Sequence, residues 1–115
     1  MVRKNNKLPL DYSLCRMDVT VYRREDLTRH VLHGVHYEYE SELTVSSGRA
    51  KLHRDFLLVI PGEFPITPGD KVVLGAGPVV SDWEDLDTAV EALGIVRSVK
   101  PRYFMGRPCH VEARG

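Results

Sequence analysis

At 115 residues, with 43% hydrophobic and 28% charged side chains, the chain has the make-up of one folded domain with one core, not of a disordered tail. Its 16 basic and 16 acidic residues cancel, which argues against a general nucleic-acid binder and leaves no charge barrier to self-association. No apolar run approaches the roughly 18 residues needed to span a bilayer, and the polar, basic start from Met1 to Lys7 lacks the apolar stretch of a secretory signal.

Residues 1–10, with Arg3, Lys4, Lys7 and Pro9, show no apolar period and read as a flexible basic arm. Such an arm is either a frayed terminus or a segment that orders against a neighbouring subunit. Residues 11–115 read as a single domain. From Asp18 the period is two: Val19 and Val21 alternate with Asp18, Thr20 and Tyr22, the pattern of a half-buried strand. Arg23 to Asp26 is a charged turn. Thr28 to Leu43 alternates again through Val31, Val35, Tyr37 and Tyr39, and Gly34 marks a bulge or sharp bend. Long bent strands of this kind point to a small barrel.

Ser46-Ser47-Gly48 is a turn. Leu52 to Ile60 ends in the apolar run Phe56-Leu57-Leu58-Val59-Ile60, expected to be a strand buried on both faces. Pro61 to Asp70 is a loop rich in proline and glycine, and Pro68-Gly69-Asp70 launches a strand from Lys71 to Gly75. One short helix is expected near 82–93. Ser81 and Glu84 fit a capping box, Trp83, Leu86, Val90 and Leu93 recur at helical spacing, and Gly94 fits the C′ position. The chain then closes with a hairpin. Ile95 to Val99 and Cys109 to Ala113 are its strands, joined by a basic, aromatic loop from Pro101 to Arg107. The fold class is therefore mostly β: a small antiparallel β-barrel, Src-homology-3-like or related, with one short helix.

Several constellations invite a chemical reading. His30, His33 and His36 would converge on a helix, but this segment reads as strand. On a strand His33 faces away from the other two, and the outer pair stands roughly 20 Å apart, too far to share a metal. Asp82, Glu84, Asp85 and Asp87 lack the spacing of a calcium loop and suit a helix N-terminus. Gly75-Ala76-Gly77 lacks the third glycine of a dinucleotide loop and does not open directly into a helix. Cys109 and His110 are adjacent, so on a strand they point to opposite faces and cannot form a nucleophile–base pair. Cys109 shares a face with Val111 and belongs to the core. Cys15 and Cys109 are expected as reduced thiols, with a bridge between them as the alternative. No catalytic, metal or cofactor residue is expected, and the chain reads as a non-enzyme. Arg102, Tyr103, Phe104 and Arg107 could stack single-stranded nucleic acid, or they could form a protein interface. Zero net charge favours the interface.

Taken in order, the segments resemble a known pattern. Asp18 to Tyr22 is followed by Gly34-Val35-His36-Tyr37-Glu38, then by Pro68 to Gly75, Val96 to Val99, and Gly106 to Ala113. This order resembles small proteins encoded among the capsid and neck genes of tailed bacteriophages and prophages. More distantly it is similar to the phage head–tail joining (head-closure or stopper) proteins. The resemblance covers roughly residues 18–114. It implies a small β-barrel and a non-enzymatic head-completion or head–tail joining subunit that acts in an oligomeric ring. The implied partners are further copies of the chain, portal or adaptor and tail proteins, and packaged DNA, with no membrane. The implied location is the virion, and the host bacterial cytoplasm during assembly. The segment 81–93 and the proline-rich loop 61–69 depart from the simplest joining proteins. Candidate interface residues are Arg3, Lys4, Lys7, Arg49, Lys51, Phe64, Arg102, Tyr103, Phe104 and Arg107. The alternative function is a small β-barrel binding module for nucleic acid or protein.

Overall fold

The computed structural model describes residues 12–90 and 92–115; the arm expected over 1–10, with Arg3, Lys4 and Lys7, lies outside them. The described residues form one antiparallel sheet. Its strands are β1 (Met17–Arg23), β2 (Thr28–Ser46), β3 (Arg49–Pro61), β4 (Lys71–Leu74), β5 (Gly94–Ile95), β6 (Ser98–Phe104) and β7 (Arg107–Arg114). Their order across the sheet is β5-β4-β1-β2-β3-β7-β6.

The mostly β expectation holds, but the sheet is not the closed barrel that the alternation implied. Its two edge strands, β5 and β6, follow one another in the chain with only Val96 and Arg97 between them. They meet end to end and cannot pair side by side. Val96 N–H donates to the Asp70 carbonyl next to β4, while Arg97 N–H donates to the Arg114 carbonyl on β7.

β2 is 19 residues long, and its partner changes partway along. Residues up to Val35 pair with β1, and residues from His36 onward pair with β3. Gly34 sits at the change with φ +72, where it is the extra residue opposite Met17–Asp18, so the expected bulge is present. The β2–β3 and β6–β7 hairpins turn on two residues each, Ser47-Gly48 and Met105-Gly106, all four at positive φ. This is the primed turn geometry that matches strand twist.

The main core gathers Val19 and Val21 from β1, Val35 and Tyr37 from β2, Phe56, Leu58 and Ile60 from β3, and Val111 and Ala113 from β7. Ile66 joins from the 62–70 loop. Each fully buried aliphatic side chain here contributes roughly 1.5–3 kcal/mol. The run 56–60 is buried on one face only, because Leu57 and Val59 stay half-exposed on the outer face.

A second, smaller cluster lies on the back of β1 and β4, where Leu86 packs against Tyr22 and Val73 with Trp83 and Val80 beside it. β1 is thereby covered on both faces. Lys71, 6% exposed, stacks its ammonium 4.7 Å above the Trp83 ring and pairs with Asp87 at 2.9 Å. Asp70, fully buried, holds the loop before β4 in place. Its carboxylate accepts from the backbone N–H of Arg24 and of Thr67, each at 2.9 Å.

The expected helix over 82–93 shrinks to a 3-10 turn at Trp83–Asp85 and one α-turn, α1, at Leu86–Ala89. The start comes after Asp82, which makes no side-chain cap bond, so the Ser81–Glu84 capping box does not launch the segment. Val90 is already extended (φ −127, ψ 129), because the chain must reach β5 and pair Gly94 with Val72. Gly94 is not a helix cap. It is a buried strand residue at a close approach, where a Cβ would stand 2.7 Å from Phe56 Cδ2. Gly94→Ala is expected to cost about 1–3 kcal/mol through this overpacking, read as a lower thermal midpoint. Tyr37, 5% exposed, has a buried hydroxyl without a hydrogen-bond partner. Tyr37→Phe is therefore expected to be as stable as the parent, or more so, in chemical denaturation.

Candidate functional site

His30, His33 and His36 do not converge, and neither do Cys15 and Cys109. His30 contacts the Phe64 ring and the Thr28 hydroxyl, His33 pairs with Asp18 at 3.0 Å, and His36 pairs with Glu38 at 2.7 Å. Among the described residues, no group of three His, Cys, Asp or Glu side chains is arranged to hold a metal ion. Cys15 and Cys109 are free thiols, and Cys109 is buried in the core as its alternation predicted. No helix among the described residues is long and apolar enough to cross a membrane.

The neighbour of Cys109 belongs to a polar chain on the outer face. Tyr12 Oη lies 2.6 Å from His110 Nδ1, and His110 Nε2 lies 2.9 Å from Glu112 Oε2. Arg102 Nη2 reaches Glu112 Oε1 at 3.3 Å, and Arg114 stands 4.0 Å from the same oxygen. One tautomer satisfies the chain, in which His110 Nε2–H donates to Glu112 and Nδ1 accepts the Tyr12 hydroxyl proton. The His110 hydrogen bond, with help from Arg102, holds the Glu112 carboxyl below the usual glutamate range against the opposing effect of burial. Burial pushes the Tyr12 hydroxyl up to about 12. The chain ties the segment before β1 to the terminal hairpin.

What the fold offers to solvent is two hairpins. β2 and β3 continue past the body as a ribbon, from the Glu40–Asp55 pair to the Ser46–Arg49 pair. Among the described residues both edges of this ribbon are open, because β1 leaves β2 at Val35 and the β7 ladder begins at Leu57. The alternation that buries Tyr37, Phe56 and Leu58 runs on beyond the core. It leaves Leu43, Val45 and Leu52 64%, 70% and 48% exposed on one face. The other face carries Glu40, Glu42, Lys51 and Arg49. Arg49 and Lys51 thus stand exposed at the ribbon tip.

The second hairpin is β6–β7. The sequence placed Arg102, Tyr103 and Phe104 in a loop. They lie on β6, with a bulge between Arg102 and Tyr103, and only Met105-Gly106 turns. Tyr103, Phe104 and Met105 are exposed, with Met105 at 85%. Beneath the tip is an open cleft of about 380 Å³ lined by Phe64, Pro65, Pro101, Tyr103, Pro108 and His110. Phe64, half-buried against the core, is thus brought next to Arg102 and Tyr103, which the sequence alone did not place beside it. Arg107 begins β7 at the tip. Sequence reading missed Leu43, Val45 and Leu52 as surface residues. Their signal was an apolar alternation that outlasts the strand length a small core can cover.

No protein-family description, curated protein or solved structure matches this chain.

The lowered Glu112 pKa fixes the sign of one pH effect. A carboxyl depressed in the folded state stabilises the fold above its unfolded pKa, and that contribution is lost as pH falls through the folded value. Glu112→Gln is expected to be less stable than the parent near pH 7, with the gap closing as pH falls below the ordinary glutamate value of about 4.3. Urea titrations from neutral pH down through that value check this.

Proposed function

We propose that this chain is a non-enzymatic structural and assembly subunit of a tailed phage or prophage, a head-completion or head–tail joining component acting in a ring. The observation that carries the reading is the unpartnered apolar surface on two projecting hairpins, Leu43, Val45 and Leu52 on one and Tyr103, Phe104 and Met105 on the other. Contiguous exposed apolar side chains on rigid strands mark a protein interface. A neutral chain associates readily. The order of sequence motifs, similar to the joining proteins, supplies the phage context.

In this reading β5, Val96-Arg97 and β6 act as one bent strand that holds the two ends of the open sheet around one core, a barrel-like body without a closing ladder. This body is the rigid part, and the hairpins reach the neighbouring subunits and the portal, adaptor or tail proteins. Heterologous contacts that close on themselves make a ring, and the ring lines the channel through which packaged DNA passes. The subunit is at work in the virion, after assembly in the host bacterial cytoplasm.

A second reading is favoured by one feature. Arg97, Lys100, Arg102 and Arg107 cluster near exposed Tyr103 and Phe104, the ingredients of a small module that binds single-stranded nucleic acid. That module would show DNA affinity that falls steeply with salt.

The deciding experiment mixes the purified chain with the portal protein of the phage or prophage whose genome carries it and images the product by electron microscopy, with proteomics of purified particles alongside. Rings at the portal's DNA exit and the chain's presence in virions are expected. Its absence from particles overturns the assignment.

A further inference from the structure

Charge is distributed along this chain in two blocks. From His30 to Gly48 there are three carboxylates, Glu38, Glu40 and Glu42, and no lysine or arginine. From Ala92 to Val111 there are Arg97, Lys100, Arg102 and Arg107, and no aspartate or glutamate. The fold places each block on an open strand edge. The acidic block rides the part of β2 that β1 has left, and the basic block centres on β6, the last strand of the sheet, which carries Lys100 and Arg102 with Arg97 just before it.

The spacings match. Glu38, Glu40 and Glu42 recur at every second residue of β2, and Lys100 and Arg102 do the same on β6 ahead of its bulge. Two such rows repeat at about 6.6–6.8 Å along extended chain, so strands set side by side bring cation to carboxylate pair by pair. Each edge also has exposed apolar side chains within a few residues, Leu43 and Val45 on β2 and Tyr103, Phe104 and Met105 on β6–β7. Within one molecule these two edges do not pair with each other, and β3 and β7 lie between β2 and β6 in the sheet.

We propose that the acidic outer half of β2 in one copy of this chain docks on the basic edge of β6 in the next copy, with Leu43 and Val45, on the other face of β2, meeting apolar side chains of the β6–β7 tip. The occupant is a second copy of this chain, and the contact is heterologous, so it repeats from copy to copy into a ring or a filament. Pro101 lacks an N–H and interrupts backbone pairing along β6, so side chains carry most of the affinity. The isolated chain is therefore expected to associate reversibly and with salt sensitivity. The proposal deepens the ring reading but is tested apart from it.

The test is sedimentation velocity on the purified full chain over a range of concentrations at low and high salt. The parent is expected to shift from monomer to larger species as concentration rises, and to lose this at about 0.5 M salt, where the Debye length is only a few ångströms. Glu40→Lys with Glu42→Lys, or Lys100→Glu with Arg102→Glu, is expected to weaken self-association by at least about tenfold. Mixing the two double variants is expected to restore it, because each then offers the other one complementary edge of either kind. Leu43→Ser with Val45→Ser, at positions outside the core, is expected to weaken association without lowering the thermal midpoint. That keeps the test alive if Lys100→Glu with Arg102→Glu disturbs the Glu112 contacts. A parent chain that stays monomeric, reversals that change nothing, or a mixture that fails to restore association would each overturn the interface. A chain that associates in solution yet is missing from virions keeps the interface and ends the head–tail assignment.

Discussion

Everything in this sheet depends on β2 changing partners at Gly34. Upstream the strand belongs to β1, and downstream it belongs to β3. A non-glycine residue at φ +72 in mid-strand would be strained, and a straight strand would hold both ladders in one plane. The bulge lets the sheet fold over itself, so that Val72 on β4 and Val111 on β7, four strands apart in the order, share one core. The same change of partner frees the outer edge of β2 and creates the ribbon. One backbone position thus sets both the core and the surface that projects from it.

The buried polar groups work as pins at the joints of this architecture. Asp70 ties the β1–β2 turn to the loop before β4, and Thr20 bridges Gly75 and Gly77 by accepting from one and donating to the other. The Tyr22 hydroxyl donates to the Pro78 carbonyl, holding the 75–80 segment against the back of β1. Each pin satisfies backbone groups that a turn or strand end would otherwise bury unpaired. At the hairpin tips apolar side chains face outward. The molecule therefore divides into a fastened body and two exposed hairpins.

Much of this was legible in the residues. Period-two alternation located β1, β2 and β7, the turn at Pro68-Gly69-Asp70 located β4, Gly34 marked the bulge, and Ser46-Ser47-Gly48 marked a turn, because each is a local effect of backbone geometry. The strand reading of His30–His36 and Cys109–His110 also followed from alternation alone. The helix failed where a local signal met a distant demand. Ser81, Glu84 and Gly94 spell out a capped helix, but Gly94 is required flat against Phe56 and paired with Val72. That pairing needs extended chain from Val90 onward. The loop expected at 101–107 failed for a similar reason, since β7 offers a ladder along which Arg102 to Phe104 can extend.

By itself the sequence determined the kind of object: a neutral chain of short-range antiparallel strands with a few strongly specified turns, because side-chain period and turn chemistry act over two to four residues. Only the tertiary structure decided that the sheet stays open, that Leu43, Val45 and Leu52 lie beyond the core, and that acidic β2 and basic β6 end on free edges. Which strand flanks which, and where a ladder stops, depends on contacts between residues far apart in the chain. No local pattern encodes them, because an apolar alternation reads the same whether a neighbour covers it or solvent does.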